Sequence, residues 1–125
     1  MKKAETNKAP AAIGPYCQAA VTGGIVYTSG QIPLDPETGL MVGADIAAQT
    51  ERIIKNLAAV LEAAGSDLDH VINTTCFITD MGSFAAFNEV YGRYFTSKPA
   101  RSCVEVSALP KGALVEIELI AEVIG

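Results

Sequence analysis

Arg101, Cys103 and Glu105 stand two residues apart in the run PARSCVEV, and Glu116 and Glu118 stand two apart in ALVEIELIAEV. If both runs are strands, period-two alternation puts each set on one face of a sheet. An arginine on a rigid element offers a planar fork that meets a carboxylate with two parallel hydrogen bonds, the chemistry of a site for a small acid. A glutamate held near a bound electrophile can orient a water or move a proton. Spacing alone also allows plainer readings: Arg101 as the ion-pair partner of a nearby glutamate, and Glu116 with Glu118 as a polar strand face. The pattern does not separate the two carboxylates. Cys103 would be a nucleophile only with a base beside it. The one histidine, His70, falls in a loop before a strand, so a small buried hydrophobe is the simpler reading of the cysteine. In IGPYCQA and TSGQIP, Tyr16 and Ser29 can donate to a ligand while Gly30 lets a backbone approach closely, although structural turns account for both stretches. There is no phosphate-cradling glycine loop and no paired His/Asp/Glu spacing for a metal, so no cofactor is indicated.

The elements that must carry these residues are legible in turn. QAAVTGGIVYTSGQIP reads as a hairpin, with Gly23-Gly24 supplying the positive φ of a two-residue turn. DIAAQTERIIKNLAAVLEAAG follows, where Ile46, Thr50, Ile53, Leu57, Val60 or Leu61, and Ala64 recur at helical spacing; Asp45 can cap its start and Gly65 its end. VINTTCFIT is rich in β-branched residues and predicts a strand. Asp80 can then cap a second helix with Phe84, Phe87, Tyr91 and Tyr94 or Phe95 on one face, and Pro99 forbids its continuation. Strands near Arg101 to Val106 and Val115 to Val123 complete a ββαβαββ order, with room for a short extra strand near the N-terminus. The expected class is α+β, one domain over residues 1–125 with a single mixed sheet. Two helices cover only one face of such a sheet, so the other face must find a cover, and an oligomer is the economical one. In the last strand Val115, Ile117, Leu119, Ala121 and Val123 alternate with Glu116, Glu118, Ile120 and Glu122. The apolar set is expected under the helices.

Composition narrows the function classes. At 125 residues the chain is the size of one domain, half its residues are hydrophobic, and Trp is absent. The formal net charge of -5 and the lack of a Lys/Arg cluster oppose a nucleic-acid partner. Every apolar run is interrupted by charge well before the ~20 residues of a membrane span, and no signal-like segment opens the chain, which reads as cytoplasmic. Three cysteines without CxxC spacing suggest neither a disulfide framework nor a zinc site.

Taken together, APAAIGPYCQA, YTSGQIP, FNEVYGRYF and PARSCVEV…LP…VEIE closely resemble the RidA/YjgF family of enamine/imine deaminases, over nearly the whole chain and in the same order. The connection YFTSKPARS is a few residues shorter than is usual there. The resemblance implies a sheet with two helices on one face, assembled as a homotrimer with a barrel-like core and sites in the clefts between subunits. It implies that Arg101 holds the carboxylate of a small 2-imino or 2-enamino acid and that Glu116 is the water-positioning residue. Tyr16, Ser29, Gly30, Asn88 and Cys103 match positions that line the site, Cys103 as a lining residue. The implied reaction is hydrolysis of 2-aminoacrylate-type enamines and their 2-imino acid tautomers to 2-keto acids and ammonia, without metal or organic cofactor. The alternatives are a keto-acid-binding regulatory module without turnover, and a ribonuclease or translation inhibitor, against which the acidic charge weighs.

Overall fold

The two-glycine turn forms as its residue types require. In the structure, a computed structural model that describes residues 1–125, Gly23 and Gly24 both have positive φ, 57° and 76°. That is the twist a tight hairpin needs. They join β2 (Ala19–Thr22) to β3 (Ile25–Thr28), and the short extra strand is present as β1 (Lys2–Ala4), antiparallel to β2.

Helix α1 (Ile46–Ala63) begins where Asp45 accepts a hydrogen bond from the Ala48 amide at 2.9 Å. It ends in a left-handed Gly65, with Ser66 N bonded to the Leu61 carbonyl and Gly65 N to that of Glu62. Strand β4 (Val71–Ile78) follows, then α2 (Phe84–Tyr94). Here one expectation needs correcting. Asp80 caps a tight 3₁₀ turn over Met81–Ser83, through the Gly82 amide, and α2 starts only at Phe84 without a side-chain cap. The Glu105 carboxylate takes the Met81 amide at 2.7 Å, so these orphan donors are satisfied before the α-helix begins. Strands β5 (Ala100–Glu105) and β6 (Val115–Glu122) complete the chain.

The sheet runs β1-β2-β3-β6-β4-β5, and only β4 and β5 are parallel. Strand β6 is antiparallel to both β3 and β4 and lies between them. The last strand is therefore central and can be apolar on one whole face. Val115, Ile117, Leu119 and Ala121 are buried beneath the helices together with Val26, Cys76, Ile78, Ile53, Ile54, Leu57, Leu61, Phe87 and Phe95. The opposite face carries no helix. It presents Tyr27, Thr75, Phe77, Val104, Glu116, Glu118 and Ile120, none of them fully buried.

No helix is long and apolar enough to cross a membrane.

Candidate functional site

The parallel pairing of β4 with β5 decides where Arg101 points. Thr74 is the register partner of Arg101 and Cys76 that of Cys103, and both Thr74 and Cys76 are wholly buried on the helix side. Arg101 and Cys103 therefore project to that side, at the sheet's edge and under α2. Asn88 Oδ1 accepts a hydrogen bond from Arg101 Nη1 at 2.6 Å. The Arg101 Cζ lies 4.8 Å from the centre of the Tyr91 ring, 5.5 Å from Phe84 and 5.9 Å from Phe87, within the range of cation–π attraction.

No carboxylate completes this arrangement. The three ion pairs of the chain join Lys55 to Glu51, His70 to Asp67 and Arg93 to Glu89. Arg101 is partly buried, held on one edge by a neutral amide and on its face by aromatic rings. The plainer reading of this residue, a structural ion pair with a neighbouring glutamate, is thereby overturned. The guanidinium borders an open cleft with Asn88, Tyr91, Thr96, Lys98 and Pro99. Beside it, burial pushes the Cys103 thiol up and the arginine only partly offsets this, so the sulfur stays protonated at neutral pH. That is poor preparation for a nucleophile.

Glu116 belongs to a different neighbourhood. It is the register partner of Phe77 and so projects from the helix-free face, on the side of the sheet opposite Arg101. Strand β4 separates the two strands, about 10 Å apart across the sheet. One chain thus cannot direct both groups at a single small molecule. Burial, and second the like charge of Glu118, raise the Glu116 carboxyl above its ordinary 4.5. Gly30 packs against this carboxylate so closely that a Cβ there would sit 2.9 Å from Glu116 Cδ. The segment is held in place because Gln31 and Ile117 exchange backbone hydrogen bonds at 2.9 and 3.2 Å. Tyr16, 54% exposed, shares a second cleft with Gly30, Ile13, Ile32, Pro110 and Lys111. The Ser29 hydroxyl donates to the Cys17 carbonyl at 2.6 Å, fixing the loop that carries Tyr16.

The site residues named from the sequence thus fall into two groups: Asn88, Arg101 and Cys103 on one side, and Tyr16, Ser29, Gly30 and Glu116 on the other. Sequence reasoning missed the aromatic surround of Arg101. Phe84, Phe87 and Tyr91 were legible as one helix face, but only as packing. Gln18 was also missed; buried, it binds the Thr6 amide and the Thr6 and Pro10 carbonyls and so pins the N-terminal segment beside Tyr16. Nowhere do three His, Cys, Asp or Glu side chains gather to hold a metal ion.

A six-stranded sheet with a helix-free face, two helices on the other, an arginine without a carboxylate partner and a half-buried glutamate define a small α+β protein with a candidate site for an acid. The chain belongs to the RidA/YjgF family: the sequence model of that family, described as Endoribonuclease L-PSP, matches residues 6–123. It is 55% identical over 123 residues to the protein DfrA of Myxococcus xanthus, covering 96% of this chain and 94% of that one. It is 48% identical over 124 residues to the 2-iminobutanoate/2-iminopropanoate deaminase of Salmonella typhimurium, covering 96% of each. The crystal structure of E. coli TdcF with bound serine superposes with a TM-score of 0.93 at 45% identity and 98% coverage of both chains.

Proposed function

We propose that this protein hydrolyses 2-aminoacrylate-type enamines and 2-imino acids to 2-keto acids and ammonia, at sites assembled between copies in a homotrimer. The observation that carries the reading is Arg101, a partly buried guanidinium with no carboxylate partner and a cleft in front of it. A partly desolvated arginine of this kind binds a carboxylate with two charge-assisted hydrogen bonds and with shape selectivity. The deaminase name of the Salmonella relative and the serine bound in TdcF support a small carboxylic acid of the amino-acid class.

The chemistry asks little of the protein. The enamine tautomerises to the imine, which protonates to an electrophilic iminium at C2. Glu116 takes a proton from a water as its oxygen bonds to C2, giving a carbinolamine. The same carboxyl returns that proton to the nitrogen, the C–N bond breaks to release ammonia, and the C2 hydroxyl gives its own proton to the freed carboxylate as the keto group forms. That proton passes to solvent and replaces the one that made the iminium. A carboxyl raised above its ordinary pKa is a stronger base when ionised, which suits the first step. Because Arg101 and Glu116 face opposite sides of one sheet, the reading requires Arg101, Asn88 and Cys103 of one copy to meet Glu116, Gly30, Ser29 and Tyr16 of the next. The uncovered face, with Tyr27 and Val104 about half exposed, supplies the surface for such packing.

The test is direct. The enamine is generated in situ from serine or threonine by a dehydratase, and keto-acid appearance is followed with and without this protein. Acceleration over the uncatalysed rate is expected. Tight pyruvate binding without acceleration would replace the enzyme with a keto-acid sensor.

A further inference from the structure

The mechanism above uses Arg101 but leaves unexplained how a long, flexible side chain holds one orientation. Arginine carries several rotatable bonds, and a two-point contact with a carboxylate tolerates only about 10–20° of error. Tyr91 is placed to remove that freedom. It is 7% exposed, and its phenol oxygen lies 2.7 Å from Thr74 Oγ1. Thr74 is itself wholly buried and is the residue paired with Arg101 across the β4–β5 ladder. The far end of the ring is thus tied to the same point of the sheet from which the arginine departs. Phe95 stacks on the ring at 4.4 Å between centroids, which restrains its tilt. Of the three rings around the guanidinium, Tyr91 is the nearest, and neither Phe84 nor Phe87 has a polar group with which to be tethered.

We propose that Tyr91, tethered by Thr74, is a positioning residue for Arg101: the ring fixes the plane of the guanidinium while Asn88 occupies Nη1, so that the remaining donors are presented to the acid in the cleft. The proposal rests on the carboxylate-binding reading given above. The groups that touch the guanidinium come from α2, at positions 84, 87, 88 and 91, which is one face of a helix, while Thr74 of β4 and Phe95, just past the helix end, hold the Tyr91 ring. The arginine is therefore oriented by the helix that precedes its strand and by the strand beside it. No contact from another copy is needed for this half of the site.

A residue that served only the core would lower stability and leave the folded protein's affinity intact. Pyruvate affinity is measured by calorimetry for the parent, Tyr91→Phe and Tyr91→Leu, with KM and kcat from the dehydratase-coupled assay. Rotation of the Arg101 guanidinium about its Nε–Cζ bond is followed by NMR. Tyr91→Leu is expected to weaken pyruvate binding and raise KM by about three- to tenfold, with kcat within about twofold, and to speed guanidinium rotation. Tyr91→Phe keeps the ring and should recover most of the affinity. A folded Tyr91→Leu with unchanged affinity and unchanged rotation overturns the proposal. If that variant does not fold, the parent decides: slow guanidinium rotation supports positioning, and rotation as fast as in an exposed arginine overturns it. A parent that neither binds pyruvate nor hydrolyses the imine sinks the acid-site reading, while the rotation measurement still reports separately on Tyr91.

Discussion

A methyl group at position 30 would press into the Glu116 side chain, 2.9 Å from Cδ, and the obstacle is the mobile end of a glutamate rather than backbone. Gly30→Ala should therefore cost little stability but displace the carboxylate. We expect kcat to fall at least about tenfold, since a misplaced base loses most of its contribution, with the melting temperature nearly unchanged; equal turnover would remove Glu116 from the reaction. The titration of Glu116 supplies a second test. Its folded pKa is raised, so the folded state holds the proton more tightly than the unfolded state. The stability it contributes is full below the ordinary 4.5 and is lost as pH rises through the folded value. Activity runs the other way, since only the carboxylate accepts a proton from water. Arg101 of the next copy would act on Glu116 in the opposite sense, so the test is a difference: Glu118→Gln, which removes the like charge, should move the acid limit of kcat/KM down. An acid limit unmoved by that substitution would show that Glu116 is not the group being read.

At the scale of elements, the strand carrying Glu116 is anchored from a distance. Gln49, buried on α1, donates to the Gly43 carbonyl at 3.1 Å and accepts from the Leu114 amide at 2.9 Å, one residue before β6 begins. Gln49→Leu keeps similar bulk but orphans both backbone groups. Chemical denaturation should show a loss of about 1–3 kcal/mol for such unsatisfied groups. A change within a few tenths would mean that water replaces the amide at both ends. The helix N-terminus next door behaves as the sequence indicates. Asp45, Gly65 and the Gly23-Gly24 turn were each legible, because cap and turn chemistry depends on a few adjacent residues. Asp80 misled because a 3₁₀ turn and an α-helix accept the same capping residue. The turn is also held from far along the chain, where Glu105, 24 positions on, takes the Met81 amide, a contact that no local window contains.

For the whole molecule, the placement of Arg101 and Glu116 on opposite faces predicts complementation. Chains with Arg101→Ala and chains with Glu116→Gln should each be nearly inactive as pure assemblies. Mixed in equal amounts, dissociated and reassembled, they should recover about a quarter of the parent activity, because one neighbour pair in four joins an intact Arg101 to an intact Glu116. No recovery in demonstrably mixed assemblies would mean that both residues act from one chain. Sedimentation equilibrium of the parent should give three times the 13.0 kDa chain mass. A monomer at micromolar concentration would remove the shared site altogether.

The sequence by itself determined the local elements, the apolar face of β6, the identity of the candidate arginine and, through its motifs, the family. These depend on periodicity, turn chemistry and residue type within short windows, which neighbouring residues encode directly. Only the tertiary structure decided that β6 inserts between β3 and β4, that Arg101 lies under α2 without a carboxylate, and that Glu116 faces away from it. Strand order and register join residues tens of positions apart, and the side of a sheet on which a residue falls is a consequence of that pairing. The spacing of Arg101 and Glu116 along the chain was therefore silent about their lying on opposite faces, whereas the uncovered sheet face was already legible from the count of two helices.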